Sequence, residues 1–371
     1  MPAARTAPRG WILRLAASRR FQSLAARIPG LRNMARSEGA ALFDIMAGFV
    51  NSQVLLAIIE LRVLHLLQDG PLTVDRLAEL CALSPDRMQV LLRAGAALGL
   101  LKARRDGRFG LAVRGAAMMG VPGLEQMVLH HRALYADLAD PVALLRAERV
   151  TQLAQFWPYV FGAGGAADPK VAATYSDLMA ESQVLVAEDT LRMVDLSSVR
   201  RLMDVGGGTG AFLIEVARAH PHLELDLFDL PAVLEGAATR LARAGVSRRV
   251  SLHPGSFRDD ALPLGADAIS LVRVLYDHDD ATVRRLVAAV YAALPPGGQV
   301  IVSEPMSGGA RPDRATDVYF AIYTLAMQTG RTRSPDAIAE ILTEAGFINI
   351  NKRTGFRSFV TSVVAGQKPQ T

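Results

Sequence analysis

"LMDVGGGTGAF", residues 202–212, decides the fold. An apolar run ends in Gly206, Gly207, Gly208 and Gly210 and passes at once into a segment with helical character. Glycines let the chain turn tightly and let a ligand approach the backbone closely. Outward from this loop, short apolar runs recur at 202–206, 223–229, 250–253, 267–275 and 299–304, separated by helical segments. The alternation predicts an α/β domain with a doubly wound, mostly parallel sheet. Ligands of such sheets bind outside the carboxyl ends of the strands.

The loop by itself is compatible with two cofactor classes. Gly206-x-Gly208-x-x-Ala211 satisfies the dinucleotide fingerprint. Asp204 argues the other way: two residues before Gly206, its carboxylate can meet a cationic amino group, whereas a pyrophosphate would be repelled there. S-adenosylmethionine therefore suits the loop better than a nicotinamide dinucleotide. Asp229, at the end of the second run, can accept hydrogen bonds from both hydroxyls of a ribose, which either cofactor requires.

The 371 residues allow two or three domains, and half of them are apolar, enough for a sizeable core. The single cysteine, Cys81, excludes an intramolecular disulfide and suits a reducing cytoplasm. No stretch has zinc-ligand spacing, so no metal is expected; the paired His130-His131 lacks further ligands and reads as helix surface or interface. Net charge is +5, unevenly placed: residues 1–36 carry eight arginines and no acid, and the rest is net acidic. Trp11, Ile12, Leu15, Phe21, Leu24 and Ile28 interleave with those arginines, a pattern that fits either a solvated tail or an amphipathic segment on an anionic membrane. Residues 45–59 fall short of the ~20 apolar residues of a span, so no transmembrane helix is expected.

Between arm and sheet lie helices. Residues 40–67 read as one long helix, apolar nearly all the way round, which must be covered by the domain or by a second subunit. Thr73 and Ser84-Pro85 start two further helices, and an "RRDGR" turn between two short strands completes a winged-helix pattern. That unit raises DNA binding as a rival role, but the second helix offers only Arg87, Gln89 and Arg93 for reading a groove. Nucleic acid is therefore not expected as a partner. The domain boundaries read as an arm at 1–37, a winged-helix domain at 38–120, a helical connector at 121–197 and the sheet domain at 198–371.

"SLVRVLYDHDD", residues 270–280, is a candidate carrier of chemistry, because an apolar run empties there into tyrosine, histidine and three aspartates. Asp279 and Asp280 mark a helix start.

"DVGGGTG", "FDLPAVLEGA", "HPGSFRDDALPLGAD", "RVLYDHDD", "LPPGGQVIVSEPM" and "GRTRS" occur in the order and spacing of the caffeate-type O-methyltransferases, and the chain resembles that family over nearly all of its length after residue 40. Within the family it is most similar to the bacterial carotenoid O-methyltransferases. The resemblance implies a class I methyltransferase sheet, Rossmann-like, preceded by a winged-helix dimerisation domain, and a homodimer in the cytoplasm. It also implies a hydroxycarotenoid substrate methylated at its C-1 tertiary hydroxyl, and peripheral contact with the photosynthetic membrane through the arm. A bacteriochlorophyll-pathway C-methyltransferase of the same fold, or a catalytically silent winged-helix regulator, are the alternatives. Asp204, Gly206 and Gly208 would form the cofactor loop and Asp229 would bind the ribose. Gly255-Ser256-Phe257 would border the adenine, with Ser256 replacing the family's aspartate. Arg273 would touch the cofactor, beside the position where many members carry a lysine.

The catalytic positions depart from the family. Many members read Leu-His-Asp-Trp, the histidine being the base, with two supporting glutamates. Here the sequence is Leu275-Tyr276-Asp277-His278. Glu304 keeps the first glutamate, and Thr332 replaces the second. Histidine suits a phenol, whose pKa is about 10; an aliphatic alcohol is far less acidic. Tyr276 is accordingly expected to orient the hydroxyl, with the proton leaving late through Glu304 or water. The apolar substrate pocket would draw on Phe156, Trp157, Tyr159, Phe161, Met179, Phe320, Tyr323 and Met327, although core packing uses the same residue types.

Overall fold

The computed structural model describes residues 10–25, 27–156 and 182–370. The chain divides into two compact units, Met1–Ala117 and Met118–Thr371. In the first, α1 (Gly10–Ala16) and α2 (Arg19–Ala25) lead into α3 (Pro29–Glu60). The long helix starts earlier than the apolar pattern indicates, because Pro29 presets the first turn. It stops earlier too: Arg62 takes a left-handed φ of 55° before α4 (Val63–Leu66). Leu56, Ile58 and Ile59 are buried in the unit, while Phe43, Ile45, Met46 and Phe49 are exposed. Contrary to expectation, α3 is long and apolar enough to cross a membrane, with a mean hydropathy of 1.8 over its most apolar stretch. A helix covered by a second subunit meets the same criterion.

The winged helix follows: α5 (Val74–Leu80), α6 (Pro85–Ala97) and the antiparallel pair β1 (Leu101–Ala103) and β2 (Phe109–Leu111). Thr73 caps α5 by accepting the Arg76 N–H, whereas Ser84 makes no side-chain cap and Pro85 alone sets the start of α6. α7 (Val113–Gly120) comes next.

In the second unit α8 (Leu124–Leu138), α9 (Pro141–Leu145), α10 (Gln152–Phe156) and α11 (182–193) precede the sheet. Then come β3 (Arg201–Val205), α12 (Ala211–Ala219), β4 (Glu224–Asp229), α13 (Pro231–Arg243), β5 (Val250–Pro254), β6 (Ala268–Val272), α14 (Asp280–Ala293) and β7 (Gln299–Glu304). A π-helical turn (Ala315–Phe320) runs directly into α15 (Ala321–Ala326), followed by α16 (Pro335–Glu344), β8 (Ile348–Thr354) and β9 (Ser362–Gln367).

The seven strands are ordered β5-β4-β3-β6-β7-β9-β8, parallel except for the pairs involving β9. The chain winds outward from β3 in one direction and from β6 in the other, so the switch point lies between them. Side chains alternate across β3 and β6: Met203, Val205, Ile269 and Leu271 face a core closed by α14 and α16. Leu202, Ala268 and Val272 face the other, closed by α11, α12 and α13. Both faces are covered, which is why every residue of β6 is buried. The edge strand β8, "ININKRT", is exposed and polar, as suits an unpaired edge. A third cluster joins Leu134, Leu144 and Leu153 of α8–α10 to Tyr323, Ala326 and Met327 at α15. Tyr323 and Met327 are therefore core residues. Trp157, Tyr159, Phe161 and Met179 lie outside the described residues, as does the Phe156 side chain.

Candidate active site

The glycine loop leaves β3 at the switch point. Gly206, Gly208 and Gly210 take φ of 70°, 61° and 77°, left-handed values that favour residues without a Cβ. Gly207 is required for another reason: a Cβ there would meet Asp204 Oδ2 at 2.3 Å. Around Gly208 there is open space. Asp229 ties the loop down, accepting the Gly208 N–H at 2.7 Å on one oxygen and the Leu230 N–H at 2.7 Å on the other.

Asp204 lies beneath the loop with no exposed surface. Its Oδ1 accepts a 2.6 Å hydrogen bond from Ser270 on β6, a residue that sequence reading passed over. Its Oδ2 has no hydrogen-bond partner among the described residues. Burial pushes the Asp204 carboxyl up to about 7, opposed by the Ser270 bond and aided by the nearby Asp229 charge. Burial likewise takes Asp229 to about 6. Two carboxyls held this far from their usual range, one with an unmatched oxygen, are suited to a cationic ligand.

On the far side of the loop, Phe257 comes within 3.8 Å of where a Gly206 Cβ would stand. The Ser256 side chain is engaged within its own turn, its hydroxyl donating to Asp259 at 3.0 Å and accepting the Arg258 N–H. His278 is buried edge-on against Phe257, with ring centroids 5.3 Å apart. Its Nδ1 accepts from the Arg258 guanidinium at 3.0 Å, and burial followed by the Arg258 charge lowers its pKa to about 4. His278 is thus a neutral strut between this turn and the next one.

That next turn departs from the expected strand. β6 ends at Val272, Arg273 takes a left-handed φ of 58°, and Leu275–Asp277 form a 3-10 turn. Asp279 caps α14 by accepting the Thr282 N–H at 2.7 Å. The turn's polar groups are held from elsewhere. Glu304 Oε2 accepts the Tyr276 N–H at 3.1 Å, and the Arg331 N–H donates to the Tyr276 carbonyl at 2.8 Å. Arg333, 4% exposed, donates to the carbonyls of Leu275 and His278 and pairs with Asp280 at 2.6 Å. Thr332, in the lost glutamate's position, is half-buried.

Tyr276 is 2% exposed, and its hydroxyl accepts from Arg273 Nε and an Arg273 terminal nitrogen, both at 3.3 Å. Arg273 also donates to Ser182 at 2.8 Å, which anchors the fork on α11. Burial raises the Tyr276 phenol well above its ordinary value, with Arg273 opposing, so it is neutral at working pH. Glu304 has no exposed surface, its Oε1 lacks a hydrogen-bond partner among the described residues, and burial takes its pKa to about 7 despite Arg333.

Of the two places expected for His130 and His131, helix surface or interface, they occupy an interface between helices: they are half-buried and hydrogen-bonded to Tyr323 at 2.8 Å and Tyr319 at 2.6 Å. Adjacent on α8, they meet tyrosines one turn apart on the π-helical turn and α15.

The fold is that of the class I methyltransferases, and a glycine cradle at the switch point, above a buried carboxylate with an unmatched oxygen, has the chemistry to receive the methionine ammonium of S-adenosylmethionine. The chain belongs to the O-methyltransferase family, whose O-methyltransferase domain model matches residues 135–348. The O-methyltransferase dimerisation domain model matches residues 43–118, which supports a homodimer. It is 64% identical to a demethylspheroidene O-methyltransferase of Cereibacter sphaeroides, with 96% of this chain and 94% of that one aligned. It is 55% identical to the protein of the same name from Rhodobacter capsulatus, covering 96% of this chain and 88% of that one. The crystal structure of human N-acetylserotonin methyltransferase in complex with SAM superposes with a TM-score of 0.78 at 25% identity, over 90% of this chain and 98% of that one. The protein is an S-adenosylmethionine-dependent O-methyltransferase.

The Asp204 geometry sets a pH dependence. A cation binds the ionised carboxylate, so below about pH 7 a proton must leave before the ammonium is held. Cofactor affinity measured by calorimetry should be highest near pH 7.5 and weaken by up to about tenfold per pH unit below 7. Asp204→Asn should bind weakly with no such slope; an unchanged slope in that variant would assign it to another group.

Proposed function

We propose that this enzyme methylates the C-1 tertiary hydroxyl of acyclic hydroxycarotenoids. The observation that carries the reading is the 64% identity, sustained across almost the whole chain, with a protein named demethylspheroidene O-methyltransferase. The base-position turn agrees with it. No imidazole stands at residue 276, and a buried neutral phenol is a poor base but a good hydrogen-bond donor. An aliphatic alcohol gains little from a base before attack and much from placement.

Bound S-adenosylmethionine supplies an activated methyl on a sulfonium. Asp204 and the backbone of Gly206 and Gly208 would hold its amino-acid end, Asp229 would take the ribose hydroxyls, and Phe257, beside Ser256, would border the adenine. Arg273 occupies both lone pairs of the Tyr276 oxygen, leaving the phenolic proton to be donated to the acceptor oxygen. Glu304 contributes by fixing the Tyr276 amide, and so the direction of its side chain.

We also infer that the arm rests on an anionic membrane, which would bring the enzyme to a lipid-soluble substrate. Trp11, Leu13, Leu15 and Leu24 are exposed on α1 and α2 among the exposed Arg14, Arg19 and Arg20. Such apolar and basic pairing favours the headgroup boundary.

With labelled cofactor, purified enzyme should place label in a 1-methoxy carotenoid; label confined to a tetrapyrrole would replace this reading with C-methylation. Tyr276→Phe should lower turnover about 10- to 100-fold with cofactor affinity intact, and unaltered turnover would remove Tyr276 from the reaction. Deleting residues 1–36 should abolish co-sedimentation with anionic liposomes, and unchanged co-sedimentation would exclude the arm as the anchor.

A further inference from the structure

The strand β6, "AISLV", is buried along its whole length, and Ser270 is its single polar residue. A buried hydroxyl costs free energy unless it is hydrogen-bonded, so a serine at this place needs a partner. Asp204 supplies it. The two residues stand opposite each other in the β3–β6 register, on the face of the sheet shared by Leu202, Ala268 and Val272, and neither has any exposed surface. The Ser270 hydroxyl donates to Asp204 Oδ1 at 2.6 Å and lies 3.4 Å from the Met203 carbonyl, so the carboxylate is its main partner.

That bond decides which oxygen of Asp204 is left over. A carboxylate is planar, so a short hydrogen bond to one oxygen constrains the direction of the other. The remaining oxygen, Oδ2, has no hydrogen-bond partner among the described residues and lies beneath the glycine loop: a Cβ on Gly207 would stand 2.3 Å from it. Around the carboxylate the neighbours are apolar. Leu227 is opposite on β4, and its side chain would come within 2.6 Å of the same Cβ. The helices on this face bring Val186, Phe212 and Leu241. Asp229, at the end of β4, is a titratable neighbour, and its charge opposes a second one at Asp204. The Ser270 bond favours the ionised form against both burial and Asp229.

We propose that Ser270 is a positioning residue of the cofactor site: its hydroxyl turns the Asp204 carboxylate so that Oδ2 is the oxygen offered to the ammonium of S-adenosylmethionine. This rests on the reading of Asp204 as the counter-charge of that ammonium. Ser270 acts through the carboxylate and not on the ligand. Without its hydroxyl both oxygens of a buried carboxylate would be unmatched, and the group would escape that cost by taking a proton. A neutral carboxylic acid attracts an ammonium far less than a carboxylate does. One strand thus serves both halves of the reaction: the middle of β6 sets the carboxylate under the cofactor loop, and its carboxyl end leads into the turn that carries Tyr276.

The test uses the full chain and two readouts. One is the carbon-13 resonance of the Asp204 carboxyl, titrated without ligand; the other is S-adenosylmethionine affinity by calorimetry at about pH 7.5. Ser270→Ala should raise the titration midpoint by about one pH unit or more and weaken the cofactor about 10- to 100-fold. An unmoved midpoint or an unmoved affinity in folded Ser270→Ala would overturn the proposal. Should the alanine variant fail to fold, Ser270→Cys, close in size and a much weaker donor, should show both changes in smaller measure, and neither change in that variant would count against the proposal equally. Asp204→Asn, measured alongside, separates the two readings. If it binds the cofactor as tightly as wild type, the ammonium reading of Asp204 fails and takes the proposal with it. If it binds weakly while Ser270→Ala binds as wild type does, the reading of Asp204 stands and the proposal alone fails.

Discussion

The candidate site depends on how the seven residues between β6 and α14 are held. Leu275, Tyr276 and Asp277 belong to no sheet ladder, and buried peptide groups without partners cost free energy. Glu304 from β7 takes the Tyr276 amide, the Arg331 amide takes its carbonyl, and the Arg333 guanidinium takes the carbonyls on either side. Arg333 is itself held by Asp280, at the start of α14. The turn is thus fixed from three later elements, and with it the direction of Tyr276. Removing one partner would leave a buried charge uncompensated, which is a large penalty.

The same logic accounts for the raised carboxyls. Asp204, Asp229 and Glu304 all lie at the carboxyl ends of parallel strands, under loops, where burial disfavours their charge. In the cofactor-free protein these groups bind more protons than the unfolded chain does between about pH 4 and 7, so their share of stability is present below pH 4 and is lost as pH rises through their folded values. A cationic ligand over Asp204 reverses that for one of them.

Much of this was legible in the residues. The glycines of 206–210 located the tight turn after β3, because the conformational demand is local, and Asp204 before them made a cationic ligand the expectation. The apolar runs located five strands to within a few residues. The run through 267–275 misled, since Val274 and Leu275 are apolar for packing reasons while Arg273 takes a left-handed conformation that no periodicity reveals. Arg333 lies inside "GRTRS", yet nothing in its local sequence marks it as the brace of the turn. Its partners Asp280 and Leu275 lie 53 and 58 positions away. His131 and Tyr319 are 188 apart, and adjacent histidines on an amphipathic helix look like surface. Pairings of that kind are properties of the tertiary structure.

Hydrogen exchange at a single amide tests the central claim most directly. With Glu304 and Arg333 bracing the turn, the Tyr276 amide should exchange as slowly as the amides of β6, and Arg333→Met should speed it at least about tenfold, a loss of roughly 1.4 kcal/mol or more of local protection, while β6 stays protected. A Tyr276 amide that exchanges at the rate of an exposed loop in the unaltered protein would contradict the account.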